Sequence, residues 1–122
     1  MAVQGVSIAL STEDVERSVK FYVERLGFTC TLQLDRFARV QLGVADIMLA
    51  RPNAHVPWQG PCFTGSIYLE VDNVDELWES LKTRAPIVYP LENTEYGVRE
   101  FGLLDDNGYQ PKFGSWIGRP AD

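Results

Sequence analysis

The strongest constraint on this chain's fold is an internal repeat. Ser7-Ile8-Ala9-Leu10, followed by Asp14-Val15, returns 59 positions later as Ser66-Ile67-Tyr68-Leu69, followed by Asn73-Val74. In each copy a short apolar stretch runs through a capping residue into a helical pattern, so each copy opens a strand-helix unit. A module of about 50 residues buries too little surface to be stable alone, which predicts two modules packed around a shared cavity.

In the first copy, alternation from Val3 to Leu10 predicts a strand, and Ser11-Thr12-Glu13-Asp14 reads as a helix N-cap whose carboxylates complement the helix dipole. Val15, Val19, Tyr22 and Leu26 then recur on one face, with Gly27 placed for a left-handed C-cap. Strands are expected over Phe28–Asp35, Phe37–Leu42 and Ala45–Ala50, with turns at Asp35-Arg36 and Gly43. The second copy predicts a strand over Gly65–Val71, a helix over Val74–Thr83 capped by Asn73, and strands over Ile87–Tyr89, Val98–Leu104 and Tyr109–Trp116. Asp105-Asp106-Asn107-Gly108 is the turn before the last strand. Proline cannot donate to a sheet ladder, so Pro111 predicts a bulge or broken pairing there.

This gives one α+β domain, residues 1–122, with modules at 1–50 and 65–116 and a connector at 51–64. The connector contains Pro52, Pro57, Gly60 and Pro61 and is expected to have little regular structure; the tail after Trp116 is expected to fray.

Composition excludes several classes. Eleven Lys and Arg against 17 Asp and Glu leave a net charge of −6, which disfavours nucleic acid and mildly favours a cationic ligand. No apolar run approaches a membrane span, and Met1-Ala2-Val3-Gln4-Gly5 lacks the basic start of a signal peptide, so a cytoplasmic protein is expected. Cys30 and Cys62 are too few for a disulfide framework or zinc motif, and the glycines form no phosphate-binding fingerprint. His55, the only histidine, lies in the connector and reads as solvated.

Several segments together resemble the vicinal oxygen chelate superfamily, which groups glyoxalase I, extradiol dioxygenases, fosfomycin-inactivating enzymes and bleomycin-resistance proteins. They are Ser11-Thr12-Glu13-Asp14-Val15-Glu16-Arg17-Ser18 with Phe21-Tyr22 and Leu26-Gly27-Phe28, then Leu69-Glu70-Val71-Asp72-Asn73-Val74-Asp75-Glu76-Leu77, and Tyr96-Gly97-Val98-Arg99-Glu100-Phe101 before Asp105-Asp106-Asn107-Gly108-Tyr109. The resemblance implies paired βαβββ modules whose curved mixed sheets form a cleft, commonly in a homodimer. In metal-dependent members it places ligands on the first and last strands of each module. Those positions correspond here to Ser7, Met48, Ser66 and Lys112, none of which is a usual ligand for a divalent ion. No metal and no cofactor are therefore expected.

The bleomycin-resistance type is the subgroup most similar, through Asp35-Arg36-Phe37-Ala38 and the segment from Tyr96 to Phe101. It implies that Phe37 and Tyr96 line ligand grooves at a dimer interface, where rings stack on a planar, cationic antibiotic. Strand alternation adds Tyr68 and Glu70, which share a face with Ser66. Trp58, on the connector, reads as a lid or wall. The candidate ligand-binding residues are thus Phe37, Tyr96, Tyr68, Glu70, Trp58, Ser7, Met48, Ser66 and Lys112, and no catalytic residue is assigned.

The resulting expectation is a metal-free binder that sequesters a bleomycin-like or other antibiotic-like molecule without turnover. Two alternatives stand beside it. One is a metal-independent isomerase, lyase or cyclase using Glu70 or Glu100 as base with a neighbouring tyrosine as donor; the other is a dimeric scaffold with no small ligand.

Overall fold

Each half of the chain folds as strand, helix and three strands because its apolar residues alternate along the strands and its capping residues stop and start the helix. The computed structural model describes residues 2, 4–63 and 65–118, in two units, Met1–Pro61 and Cys62–Asp122. The expected tail from Arg119 to Asp122, the strand start at Val3 and the connector's end at Thr64 lie outside the described residues.

In the first unit, β1 (Ile8–Ser11) leads to α1 (Val15–Lys20), a π-helical turn (Phe21–Arg25), β2 (Thr29–Gln33), β3 (Phe37–Leu42) and β4 (Ala45–Ala50). The sheet order is β1-β4-β3-β2, with β1 parallel to β4 and the other pairs antiparallel. Asp14 caps α1 by accepting from the Arg17 amide at 2.9 Å, and Gly27 takes the left-handed conformation at φ 82° beyond the helical segment. Val15, Val19, Tyr22 and Leu26 are all buried with Leu10, Val40, Ile47 and Leu49, forming the layer between helix and sheet. β1 is shorter than the alternation predicted, because its ladder with β4 begins only at the Ile8–Ile47 pair.

The second unit repeats the plan with β5 (Ile67–Glu70), α2 (Val74–Leu81), β6 (Ile87–Asn93), β7 (Val98–Leu103) and β8 (Pro111–Trp116). Its order is β5-β8-β7-β6. Asn73 caps α2 by accepting from the Glu76 amide and donating to the Glu76 carboxylate at 2.6 Å. Phe101 anchors the layer beneath α2, with the Trp78 ring 5.1 Å and the Phe113 ring 5.4 Å from its own.

Two expectations for this unit are corrected. Pro111 breaks nothing: it is the first residue of β8, where no ladder donor is required, and β8 pairs without a register shift with β5 and β7. The irregularity falls instead on β6, whose register shifts between Ile87, Tyr89 and Glu92. That strand runs on through Pro90 to Asn93, well past the expected end at Tyr89. An edge strand tolerates a proline that a central strand would not, because one side of its ladder is unpaired.

The turn before β8 is held by Asp105, whose Oδ1 accepts from the amides of Asn107, Gly108 and Tyr109, each at 2.9 Å. Among the described residues no helix is long and apolar enough to cross a membrane. Asp105→Ala would leave these amides short of their acceptor. It is expected to cost about 1–3 kcal/mol in urea unfolding, and an unchanged midpoint would show that the turn holds without it.

Candidate functional site

The site is built by the two-residue period of the second sheet. One face, carrying Ile67, Phe101, Leu103 and Phe113, packs in the buried layer. The other carries a cross-strand row of Tyr68, Lys112, Gly102 and Tyr89, and beside it a row of Glu70, Gly114, Glu100 and Glu92. Glu100 is 2% exposed. Among the described residues no basic nitrogen lies within ion-pair distance of it.

Burying a carboxylate without a cation is costly unless neutral donors replace the lost water. Three phenols do so. Tyr68 donates to Oε1 at 3.2 Å, Tyr96 donates to the same oxygen at 2.8 Å, and Tyr89 donates to Oε2. Space for two of these rings comes from glycines in neighbouring strands. A Cβ on Gly114 would lie 1.9 Å from the Tyr68 hydroxyl, and one on Gly102 would lie 2.8 Å from the Tyr89 ring. A glycine within a strand is otherwise a weakness, so a second group lying this close accounts for both positions.

The surroundings keep the phenols protonated. Tyr68 is pushed up to about 12, by burial first and by the Glu100 charge second. Tyr89 is raised by burial and then by its hydrogen bond to Glu100, whereas for Tyr96 that hydrogen bond is the main cause. At neutral pH the three therefore act as donors. Lys112 adds a positive charge on the same face, its Nζ 5.6 Å from the centre of the Tyr89 ring.

The first unit has a different polar group on the face away from α1. Arg39 donates through Nε to both oxygens of Asp46 at 3.0 Å and through Nη2 to Oδ2 at 2.8 Å. Ser7 Oγ donates to Asp46 and accepts from Arg39 Nη2 at 3.1 Å, and Gln41 donates to Asp46 Oδ1 at 3.3 Å. The hydrogen bonds from Arg39 and then Ser7 draw the Asp46 carboxyl down from its ordinary 3.8 to about 2.

Of the sequence-predicted candidates, Tyr68 and Tyr96 meet at Glu100, and Lys112 joins them on the same face through Tyr89. Glu70 shares that face and is exposed, with no hydrogen bond among the described residues. Ser66 is half-buried and precedes β5 rather than lying in it. In the first unit Ser7 is taken up by Asp46, Met48 pairs across the sheet with Arg39, and Phe37 pairs with Ala50. Trp58 is half-buried, and its buried indole Nε1 has no hydrogen-bond partner among the described residues.

Sequence reasoning missed Tyr89 and did not count Glu100 among the ligand-binding residues. The usable signal was the pair Gly102 and Gly114, each inside a strand and each facing one of these residues across the ladder. Arg99 and Glu100 do point to opposite faces: Arg99 binds Asp75 of α2 through Nε at 3.0 Å. The positions where the resemblance implies metal ligands do not fit a divalent ion. They hold a committed serine hydroxyl and a thioether in the first unit, a serine and an ammonium in the second. Among the described residues no three His, Cys, Asp or Glu side chains are grouped to hold a metal.

The organised face of rings and one buried carboxylate is carried by a strand-helix-three-strand unit, the plan that both halves of the chain share. Residues 6–113 match the model of the Glyoxalase/Bleomycin resistance protein/Dioxygenase superfamily, and the chain belongs to that family. A bleomycin resistance protein of Geobacillus stearothermophilus is 28% identical over 113 residues, covering 80% of this chain and 85% of its own length. A member of the same superfamily from Sphaerobacter thermophilus superposes with TM-score 0.77 at 27% identity, over 93% of this chain and 98% of its own. TioX from Micromonospora sp. ML1 shares the fold with TM-score 0.74 at 24% identity, over 94% of this chain and all (100%) of its own.

Two titrations check the electrostatics. The folded Tyr68 phenol ionises near 12 against an ordinary 10.0, so the stability it contributes is complete below about pH 10 and lost as pH rises through about 12. Tyrosinate absorbance should show delayed ionisation in the folded protein, and Glu100→Gln should bring the ionisation of all three phenols earlier, removing for Tyr96 the leading cause of its shift. At the acid end, the depressed Asp46 carboxyl contributes stability that is complete above about pH 4 and lost as pH falls through about 2. Asp46→Asn should flatten this part of the stability curve in urea unfolding; an equal acid loss in wild type and variant would assign it to other groups.

Proposed function

We propose that this chain is a metal-free binding protein that sequesters a bleomycin-like or other antibiotic-like molecule bearing a planar group and a basic group. The observation that carries this reading is the buried Glu100 carboxylate, held by neutral phenols and without an ion-pair partner among the described residues. A ligand cation entering this face would gain a charge partner already desolvated and fixed in place, while Tyr68 and Tyr96 offer partly exposed rings for stacking. The similarity to proteins named for bleomycin resistance supports the choice of probe. Protection requires only that free drug be held below its effective concentration, so affinity and protein abundance matter and turnover does not. A homodimer is part of the same proposal, read from the resemblance.

The enzyme reading gains one observation, since Glu100 and its tyrosines form the carboxylate-phenol arrangement an isomerase, lyase or cyclase would need. The phenol protons are, however, already directed at the carboxylate. A substrate oxygen would have to break one of these bonds before a tyrosine could donate to it, which favours binding over general acid-base work.

Titration of chelator-treated protein with metal-free bleomycin, followed by tyrosine and tryptophan fluorescence, should saturate, and mass spectrometry should recover the drug unchanged. Modified drug would turn the reading to catalysis. Absence of a saturable signal, confirmed by calorimetry, would overturn the bleomycin assignment.

A further inference from the structure

Lys112 is a half-buried lysine on a central strand, and its charge is not spent on a carboxylate. Among the described residues it makes no ion pair, and its Nζ lies over the Tyr89 ring, 5.6 Å from the ring centre. A ring face attracts an ammonium but leaves its N–H donors without an acceptor. The side chain is also placed with purpose relative to Glu100. Lys112 and Gly114 are alternate residues of β8, and Gly114 is the cross-strand partner of Glu100. Two residues of strand rise separate the two rows by roughly 7 Å. Tyr68 flanks Lys112 from β5 and Tyr89 flanks Gly102 from β6, so aromatic rings border both ends of the row.

We propose that Lys112 and Glu100 form a two-ended recognition site, in which Glu100 takes a ligand's basic group and Lys112 takes an electron-rich oxygen, carboxylate or amide carbonyl, about one ring-width away. The inference rests on the binding reading above and narrows it to ligands that carry both groups on or beside an aromatic ring. Glu70 and Glu92, exposed on the neighbouring row, disfavour purely anionic ligands, while the Lys112 charge disfavours ligands that are cationic at both ends. The ends therefore select by polarity and direction as well as by size. Lysine supplies three donors on a flexible stem, enough to meet either oxygen type without the fixed geometry of a guanidinium.

The test uses three probes of one ring size: benzylamine, benzoate and para-(aminomethyl)benzoate, which carries both groups. Binding is followed by chemical shifts of the Gly102 and Gly114 amides and of the Lys112 ε-methylene. The zwitterion should bind at least tenfold more tightly than either half, about 1.4 kcal/mol. Lys112→Met should reduce it to the affinity of benzylamine, and Lys112→Arg should restore part of the difference. The lysine variants are chosen because Lys112 is half-buried at the surface row, and an unchanged urea midpoint would separate lost recognition from lost folding. Equal affinity for zwitterion and benzylamine, or an unchanged zwitterion affinity in Lys112→Met, would overturn the proposal. Failure of bleomycin to bind, with the probe series behaving as described, would overturn the drug reading and uphold the two-ended site. Saturable bleomycin binding with no response at Lys112 and no change in Lys112→Met would do the reverse.

Discussion

A carboxylate buried in a sheet must find donors within its own layer, and the second unit is arranged around that requirement. Glu100 sits on a central strand, where its backbone is committed to ladders on both sides and the side chain cannot be withdrawn to solvent. The charge is met by three phenols from β5, β6 and the loop before β7, so the hydrogen bonds tie β7 both to its own hairpin and to the distant β5. The same need explains Gly102 and Gly114: rings that reach inward over the sheet leave no room for a Cβ beneath them. Chemistry and packing are therefore one constraint here. The tyrosines satisfy the charge only because the glycines let them lie close, and the glycines are tolerated because rings cover them.

The first unit solves a related problem by opposite means. Asp46 lies on the corresponding outer face of its sheet, but its partner is a guanidinium that engages both its oxygens, with Ser7 and Gln41 completing the set. Charge cancels locally, and the hydroxyl of Ser7 is used up in the process. In the second unit the carboxylate is held by neutral donors, with no basic nitrogen within ion-pair distance among the described residues. Two copies of one strand-helix plan thus carry unlike polar groups on equivalent faces. The divergence follows from side chains that share the same alternation: the backbone repeat does not depend on what the outward residues are, so those residues were free to differ.

The layer beneath each helix was legible in the sequence. Val15, Val19, Tyr22 and Leu26 recur at helical spacing and are buried together, and strands β3 and β4 fall on the residues the alternation marks. Strand ends were less legible, because a ladder stops where its partner stops rather than where alternation fades. That is why β1 begins at Ile8, and why β6 continues past Pro90 as an edge strand. Pro111 misled for the same reason: its effect depends on whether it opens a strand or interrupts one, and only the register decides this.

The sequence by itself determined the two-fold plan, the helix faces, the capping residues and the shared sheet face of Tyr68 and Glu70, because these depend on local periodicity and on chemistry carried within a short span. Only the tertiary structure decided that Tyr68, Tyr89 and Tyr96 converge on Glu100, that Gly102 and Gly114 make room for two of them, and that Arg39 neutralises Asp46. These facts arise from turns and cross-strand register, which bring to Glu100 residues 4, 11 and 32 positions away in sequence. Periodicity assigns each residue to a face of its own strand, but it carries no information about which residue of the next strand will stand beside it.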